Sequence, residues 1–460
     1  MASTRTIDES FDELAATVRG SVLRPDSPGW PEEVAAYNLA VAHTPRLVVV
    51  AADAQDVAAA VRYAGAHALP VAVQATGHGA EVAIDGGLLV STRALDSVTI
   101  DPARRTATVG AGVRWRAVLD AAAPHGLAPL SGSTSDVSVV GYTLGGGLPI
   151  LGRTFGFSAD HVVSLELVTA DGRVRQVDAV SEPDLFWALR GGKGNLGIVT
   201  EMTVELVEVD TVFGGGIFYA AEHIPTLLHA FRTWVPDLPE HTSASIAVMR
   251  VPPFPEVPEP LRGQTVAHLR FCHLGDVAEG EALLAPMRAA APAMMDAVGP
   301  MRFVEADSIH QDPDHPVPFV EQGTLLRELT EDTVEAVLGV AGPQVETPLL
   351  MCEIRLLGGA LARPAAVPNA VGGRDAAFGV ETVAIPMGPA PEAALAAVES
   401  TVAALAPWST GRTMVNFHGV PGDEADRARA WDEPTYQRLC ALVRELDPAG
   451  MFRFGHAIGR

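Results

Sequence analysis

Apolar positions along the chain come in short bursts between small and polar residues, and the spacing within each burst predicts the element. Residues 46–50 and 71–74 are apolar runs of strand length. Between them, 53–69 is Ala-rich and repeats Val57, Val61 and Ala64 at helical spacing, which makes a β-α-β unit. Short strands follow at 88–91, 97–100 and 106–110, then a helix over 113–125 that stops at Gly126. The Gly-rich run 141–147 interrupts the pattern. A strand at 162–169 turns at Asp171-Gly172 into a return at 173–177, a short helix covers 184–190, and 198–207 alternates apolar with polar. Strands and helices mix without a regular repeat, so the fold class expected is α+β, not a doubly wound sheet.

From about residue 208 the texture changes. Helices are expected at 224–235, 278–291 and 391–406, and strands at 243–250, 265–272, 348–356 and 378–386. This is the pattern of an antiparallel sheet covered by helices on one face. The Pro-rich stretches 251–260 and 312–318 read as surface loops. A last strand at 413–417 and an interrupted helix at 424–446 complete the chain, after a first short helix within 1–30. The division expected is 1–207, 208–410 and a returning segment 411–460.

Composition adds limits. A chain of 460 residues exceeds one compact core, and 48% apolar with 19% charged residues fits a well-packed protein. A net charge of −24 repels nucleic acid and anionic membrane, so neither is expected as a partner. Cys272, Cys352 and Cys440 are far apart with no C-x-x-C, which points to reduced, buried thiols and a cytoplasmic setting. The first twenty residues lack an apolar secretory core, and no run approaches the ~20 residues of a membrane span. Nothing fixes the oligomeric state.

Three blocks carry candidate chemistry. In the first, the strand 71–74 runs through Gln74, Ala75 and Thr76 into Gly77-His78-Gly79-Ala80. Such a turn lets a large ligand approach the backbone and can present N–H groups to an anion; alone, it is equally an ordinary turn with an incidental histidine. The second is the loop 130–147, with Gly132, Ser133, Thr134, Val137, Val139, Gly141, Tyr142, Gly145 and Gly146. The third runs over 184–200 and ends in Gly197, Ile198 and Val199. Pro149 and the Ser-rich approach to Gly145-Gly146-Gly147 exclude a Rossmann fingerprint. Gly192-Lys193-Gly194 lacks the hydroxyl residue of a Walker loop. His310 and His315 fall in a Pro-containing loop that reads as a solvated turn, and no metal is expected there.

These blocks, in this order, resemble the FAD-linked oxidases of the vanillyl-alcohol-oxidase (PCMH-type) fold, and within them the bacterial berberine-bridge-enzyme-like group. The resemblance covers the N-terminal half and the last fifty residues. It implies an FAD-binding domain followed by a substrate domain, and FAD held covalently by an 8α-histidyl bond at His78. Bicovalent members carry a cysteine where this chain has Thr134, so a single link is expected. The arginine often found before the Gly-His element is absent, with Gln74 and Ala75 there instead. Asn416-Phe417 matches the family's Asn-Tyr element, and Phe417 cannot act as a base. The resemblance also implies a small or medium organic substrate, such as a secondary metabolite, alcohol or amine. Dioxygen would be the electron acceptor and peroxide the product. A dehydrogenase, an oxidative cyclase and a ligand-sequestering flavoprotein are the alternatives.

Within 351–356, Glu353 and Arg355 share one strand face while Cys352 and Ile354 take the other. A partly desolvated Glu353 facing the flavin has a raised pKa and serves as general base, with Arg355 pulling the other way. The alternative is a structural ion pair; the Glu-x-Arg-x-x-Gly-Gly-Ala pattern from Glu353 to Ala360 resembles the family strand and favours the catalytic role. Tyr142 is expected near the ring, either orienting substrate or packing. His268 and Arg270, on one face of their strand, are further candidates for the pocket wall.

Overall fold

The computed structural model describes residues 7–255, 257–386 and 391–460. Three sheets organise them. In the first, the strands run in the order Ser21–Leu23, Leu47–Val50, Leu88–Ser91, Val71–Gln74, and the last three are parallel. The helix Ala54–Ala66 connects two of these strands. It starts where the Asp53 carboxylate accepts from the N–H groups of Gln55 and Asp56, and it buries Val57, Val61 and Ala64.

The second sheet is antiparallel and ordered Val98–Asp101, Thr106–Gly110, Ile198–Glu205, Val162–Val168, Val174–Asp178. Gly172, at φ 71°, makes the expected tight turn between its last two strands. Helix Trp115–Ala122 packs Trp115, Val118 and Ala122 into the same core as Met202 and Leu165.

The third sheet has eight antiparallel strands. The order is Ala293–Asp296, Thr211–Ala220, Thr265–His273, Thr242–Arg250, Leu349–Leu356, Phe378–Ala384, Val320–Leu326, with Gly299–Arg302 also on Thr211–Ala220. Helices Ile224–Trp234, Val277–Ala290, Glu331–Ala341 and Glu392–Ala404 share a core with one face of it, through Phe231, Leu284, Val337 and Val398. Cys352, Ile354, Ile246 and Leu269 answer from the sheet. Each such fully buried side chain contributes about 1.5–3 kcal/mol. Strand alternation then forces Ser245, Arg270, Glu353, Arg355 and Glu381 onto the opposite face.

The α+β class and the one-sided helical cover follow the pattern read above, and five differences stand out. Residues 413–417 are not a strand: Val415–Phe417 is a 3₁₀ turn. It is wedged between Gly145, where a Cβ would meet Asn416 Oδ1 at 1.9 Å, and Gly323, where one would meet the Phe417 carbonyl at 2.8 Å. That leaves no room for a ladder. The run 141–147 is partly helical, within Val139–Leu144. Five strands, Ser21–Leu23, Thr211–Ala220, Ala293–Asp296, Gly299–Arg302 and Val320–Leu326, and the long helix Glu331–Ala341 are additional to those expected. His310 is not in a solvated turn but buried at the end of the helix Asp307–His310, while His315 is exposed. Gly126, at φ 67°, closes a 3₁₀ turn that extends the 115–122 helix rather than the helix itself. Among the described residues no helix is long and apolar enough to cross a membrane.

Candidate active site

One cavity of about 430 Å³ lies between the first two sheets and the polar face of the third; three further cavities hold about 10–30 Å³ each. One wall is the turn that leaves the Val71–Gln74 strand, residues 74 to 82. Gln74 is buried and donates to the Ala35 carbonyl at 3.0 Å, fixing the start of the turn. Gly77 has φ 77°, and a Cβ there would stand 2.7 Å from Ala36 Cα, so only glycine lets the turn fold against that segment.

His78 stands at the middle of this wall. Its ring stacks on Tyr37 with centroids 3.7 Å apart, and Nδ1 shares a hydrogen bond of 2.9 Å with Thr76 Oγ1. Nε2 is buried and has no hydrogen-bond partner. Burial, and then the positive charge of Arg114, lower its pKa to about 3, so the imidazole is neutral.

The second block supplies the adjoining wall through Gly132, Ser133, Thr134, Val137, Gly141 and Tyr142. The Tyr142 ring is gripped between two glycines: a Cβ at Gly132 or Gly147 would meet it at 2.9 or 2.4 Å. It also packs edge-on against Trp115, with centroids 5.7 Å apart. Burial pushes the phenol pKa far up, so Tyr142 stays protonated at neutral pH. Asn416 lines the cavity and donates to the Tyr142 carbonyl at 2.9 Å, tying residues far apart in the chain.

Six residues expected at the cofactor do not line this cavity. The Val139 N–H is spent on the Val113 carbonyl, and Ile198 and Val199 are buried in a central strand. Gly145 and Gly146 sit behind the Tyr142 helix, against Asn416 and Val371. Gly197 packs on the Val168 carbonyl, 2.6 Å from where a Cβ would stand.

Opposite His78, the third sheet presents charge in a register-defined row. Arg270, Ser245 and Arg355 are neighbours across three strands. Glu353, two residues from Arg355, is opposite Glu381 on the next strand. Glu353 Oε1 accepts from Arg270 Nη1 at 2.7 Å and Ser245 Oγ at 2.6 Å, and Oε2 accepts from Arg355 Nη2 at 2.7 Å. Its pKa is not raised as expected. Burial does push upward, but Arg355, Arg270, His310 and the Ser245 hydroxyl together hold it well below the usual carboxylate range. Glu353 does not line the cavity; Arg355 and Glu381 do. His268 and Arg270 lie outside it too, His268 stacked on Phe218 at 3.9 Å.

The carboxyls that face the cavity are ones the sequence pattern passed over. Burial and the charges of Glu321 and Glu353 raise Glu381 well above the ordinary range. Burial and neighbouring Glu81 raise Glu321 to about 8, and burial raises Glu81 itself to about 7. Lys193 and the neutral ring of His456, whose Nδ1 is 3.7 Å from Glu81 Oε2, complete this end. A strand register joining Glu353 to Glu381 was the missing signal; each alone is an unremarkable glutamate.

Comparison with known proteins places this geometry. Residues 45–178 match the FAD binding domain family. The chain is 32% identical over 226 residues to (R)-6-hydroxynicotine oxidase of Paenarthrobacter nicotinovorans, across 49% of this chain and 46% of that protein. It is 30% identical over 240 residues to an FAD-linked oxidoreductase of Dictyostelium discoideum, across 52% and 53%. These matches span about half the length of the curated relatives. Among solved structures, 6-hydroxy-D-nicotine oxidase from Arthrobacter nicotinovorans shares the fold over 96% of this chain and 98% of its own, with a TM-score of 0.82 and 26% identity. Xylooligosaccharide oxidase from Myceliophthora thermophila C1 does so over 98% and 99%, with a TM-score of 0.84 and 20% identity, a likeness of fold. The class is therefore an FAD-binding protein of the PCMH-type, berberine-bridge-like fold. Within that fold, the matched stretch and the curated relatives make the chain similar to FAD-linked oxidoreductases.

Proposed function

We propose that the chain is an oxidase that removes two electrons from a small organic molecule carrying an amine or hydroxyl on the carbon to be oxidised. FAD, when bound, accepts those electrons and passes them to dioxygen, giving hydrogen peroxide. The observation that carries this reading is the cavity itself. One wall is a glycine turn bearing a neutral histidine with an unpartnered buried nitrogen, and the other is a sheet face bearing Arg355, Glu321 and Glu381.

The residues present fit the cofactor. His78 Nε2 is buried without a hydrogen-bond partner, an orphaned atom that a covalent bond to the flavin would satisfy. Substitution by imidazole withdraws electron density and makes the flavin a stronger oxidant. Gly132 to Thr134 and the 76–80 turn offer backbone and hydroxyl groups to the cofactor's polar parts. Thr134 cannot form a thioether, so one covalent link is proposed.

The chain's own contribution is positioning and proton transfer. Arg355, held by Glu353, presents a fixed guanidinium to the substrate's polar group. Glu353 is thus a positioning residue in this reading, and the proton acceptor is Glu321, poised near neutral pH beside Glu81. Tyr142 is too firmly protonated to act as a base and serves as a donor or a packing wall. Flavin bleaching by a panel of amines and alcohols without oxygen tests the reading. In air, each bleaching compound should yield one peroxide per molecule oxidised. Tight binding by a compound of either class with no bleaching would favour sequestration, and bleaching without peroxide would favour a dehydrogenase.

A further inference from the structure

His241, His273 and Glu279 meet on the far side of the third sheet's strands from this chemistry, and none of them lines the main cavity. His273 ends the strand Thr265–His273 and is opposite Thr242 in the ladder. His241 precedes the neighbouring strand, and Glu279 lies in the first turn of the helix Val277–Ala290. The His273 side chain is fully buried, with Nδ1 2.8 Å from Thr242 Oγ1. Its Nε2 is sealed from water and has no hydrogen-bond partner, a condition native folds rarely leave unanswered.

That nitrogen is aimed at Glu279: Nε2 is 3.7 Å from Oε2, beyond hydrogen-bond reach. The other carboxylate oxygen is 3.2 Å from His241 Nε2. All the donor atoms fall within 4.8 Å of one another. A tetrahedral zinc ion bound at ~2.0–2.1 Å holds its ligands about 3.3 Å apart. The remaining gap closes by small rotations of His241 and Glu279, whose side chains are 39% and 49% exposed and free to turn. The buried ring needs no movement, because its Thr242 bond already fixes its orientation as an outer-shell partner does for a metal-bound histidine. Space is reserved as well: a Cβ at Gly275 would stand 2.5 Å from His273 Nε2.

We propose that His241, His273 and Glu279 bind one divalent transition-metal ion of the zinc type, with a fourth position left to water. Two imidazoles and a carboxylate are the donor set that suits zinc. The ion joins the ends of two strands to the start of a covering helix, a structural clamp independent of the redox site.

The test uses the full-length, flavin-loaded protein, stripped with a chelator and titrated with zinc chloride by calorimetry. One equivalent should bind, and the thermal transition should rise with zinc. The double variant His241→Ala/Glu279→Gln changes one half-buried and one exposed side chain, and circular dichroism and flavin content should match the parent. It should bind zinc at least tenfold more weakly and lose the thermal shift. His229→Ala, at a partly exposed histidine paired with Glu335, should leave zinc stoichiometry and affinity unchanged. No one-equivalent transition in the parent, or equal affinity in the double variant, overturns the proposal.

Discussion

Glu353→Gln keeps the shape of a side chain and removes one negative charge from between two guanidinium groups. In the parent the carboxylate is 2% exposed, Arg270 is 2% exposed and Arg355 is 19% exposed. Removing one member of a buried ion pair costs about 3–5 kcal/mol, because the remaining charge stays desolvated and unbalanced. Part of that is offset here. Glu381, directly across the ladder, loses the neighbour that helps hold its proton and gains freedom to ionise beside Arg355. The loss expected is therefore near the lower end, about 3 kcal/mol. Glu381→Gln replaces an already neutral carboxyl with a neutral amide and should move stability by no more than about 1 kcal/mol. Urea unfolding of the flavin-loaded variants at pH 7, with unchanged slope, measures both. The pH dependence gives a second reading. Glu353 has a lowered pKa, so its contribution is present above the ordinary carboxylate value of 4.5 and is lost as pH falls further. The parent should lose stability steeply below that point, and Glu353→Gln less so. If Glu353→Gln were neutral while Glu381→Gln cost several kcal/mol, the proton would sit on Glu353 and the charge assignment would be reversed.

Glu321→Gln should abolish the acidic limb of kcat/KM, which in the parent should rise through pH 7–8, while flavin content stays constant; an unchanged limb would move the base to Glu81. The same raised pKa has a stability sign: the neutral Glu321 contributes fully below pH 4.5, and that contribution is lost as pH rises through about 8, so the variant should flatten this decline. Gly145→Ala places a Cβ 1.9 Å from Asn416 Oδ1 and should break its bond to the Tyr142 carbonyl, lowering stability by about 1–3 kcal/mol; calorimetric unfolding checks it. His78→Ala should release flavin on denaturation, whereas the parent should stay yellow and carry the flavin mass on the His78 peptide. No peptide containing Cys272, Cys352 or Cys440 should carry it, since all three are buried, and burial pushes the Cys272 and Cys352 thiols to about 12.

Periodicity reveals elements whose cores are built from local pattern, and it fails where a distant partner decides. Val57, Val61 and Ala64 announced their helix because one face is apolar. Phe213-Gly214-Gly215-Gly216-Ile217 looks like a turn, yet it is the middle of a ten-residue strand, where Gly216 makes room for His268. Val320–Leu326 carries Glu321 and Gln322, so its strand character comes from pairing with Phe378–Ala384, not from alternation. The helix Glu331–Ala341 did have a legible start, a capping box between Thr330 and Thr333, with Val334, Val337 and Ala341 at helical spacing. At the cavity, His78 and the 74–80 turn were legible because their constraint is local backbone geometry, whereas Gly145, Gly146 and Gly197 serve packing away from it. The charge environments of Glu353, Glu381 and Glu321 were not, because a carboxyl's proton is decided by whatever the fold sets beside it.

The strand Val71–Gln74 is the open edge of its sheet, and the chain closes that edge from very far away. The Val71 N–H donates to the Met451 carbonyl, Phe452, Phe454 and His456 face the cavity, and the Ile458 N–H donates to Asn195 Oδ1. A ribosome making this protein therefore exposes His78 early and supplies its final walls only when residues 451–458 emerge. Until then the nascent cradle has an unpaired edge and a missing side, even though its glycine turn has long been synthesised. Residues 451–458 thus complete the cavity's walls only after the eight-stranded sheet has been made.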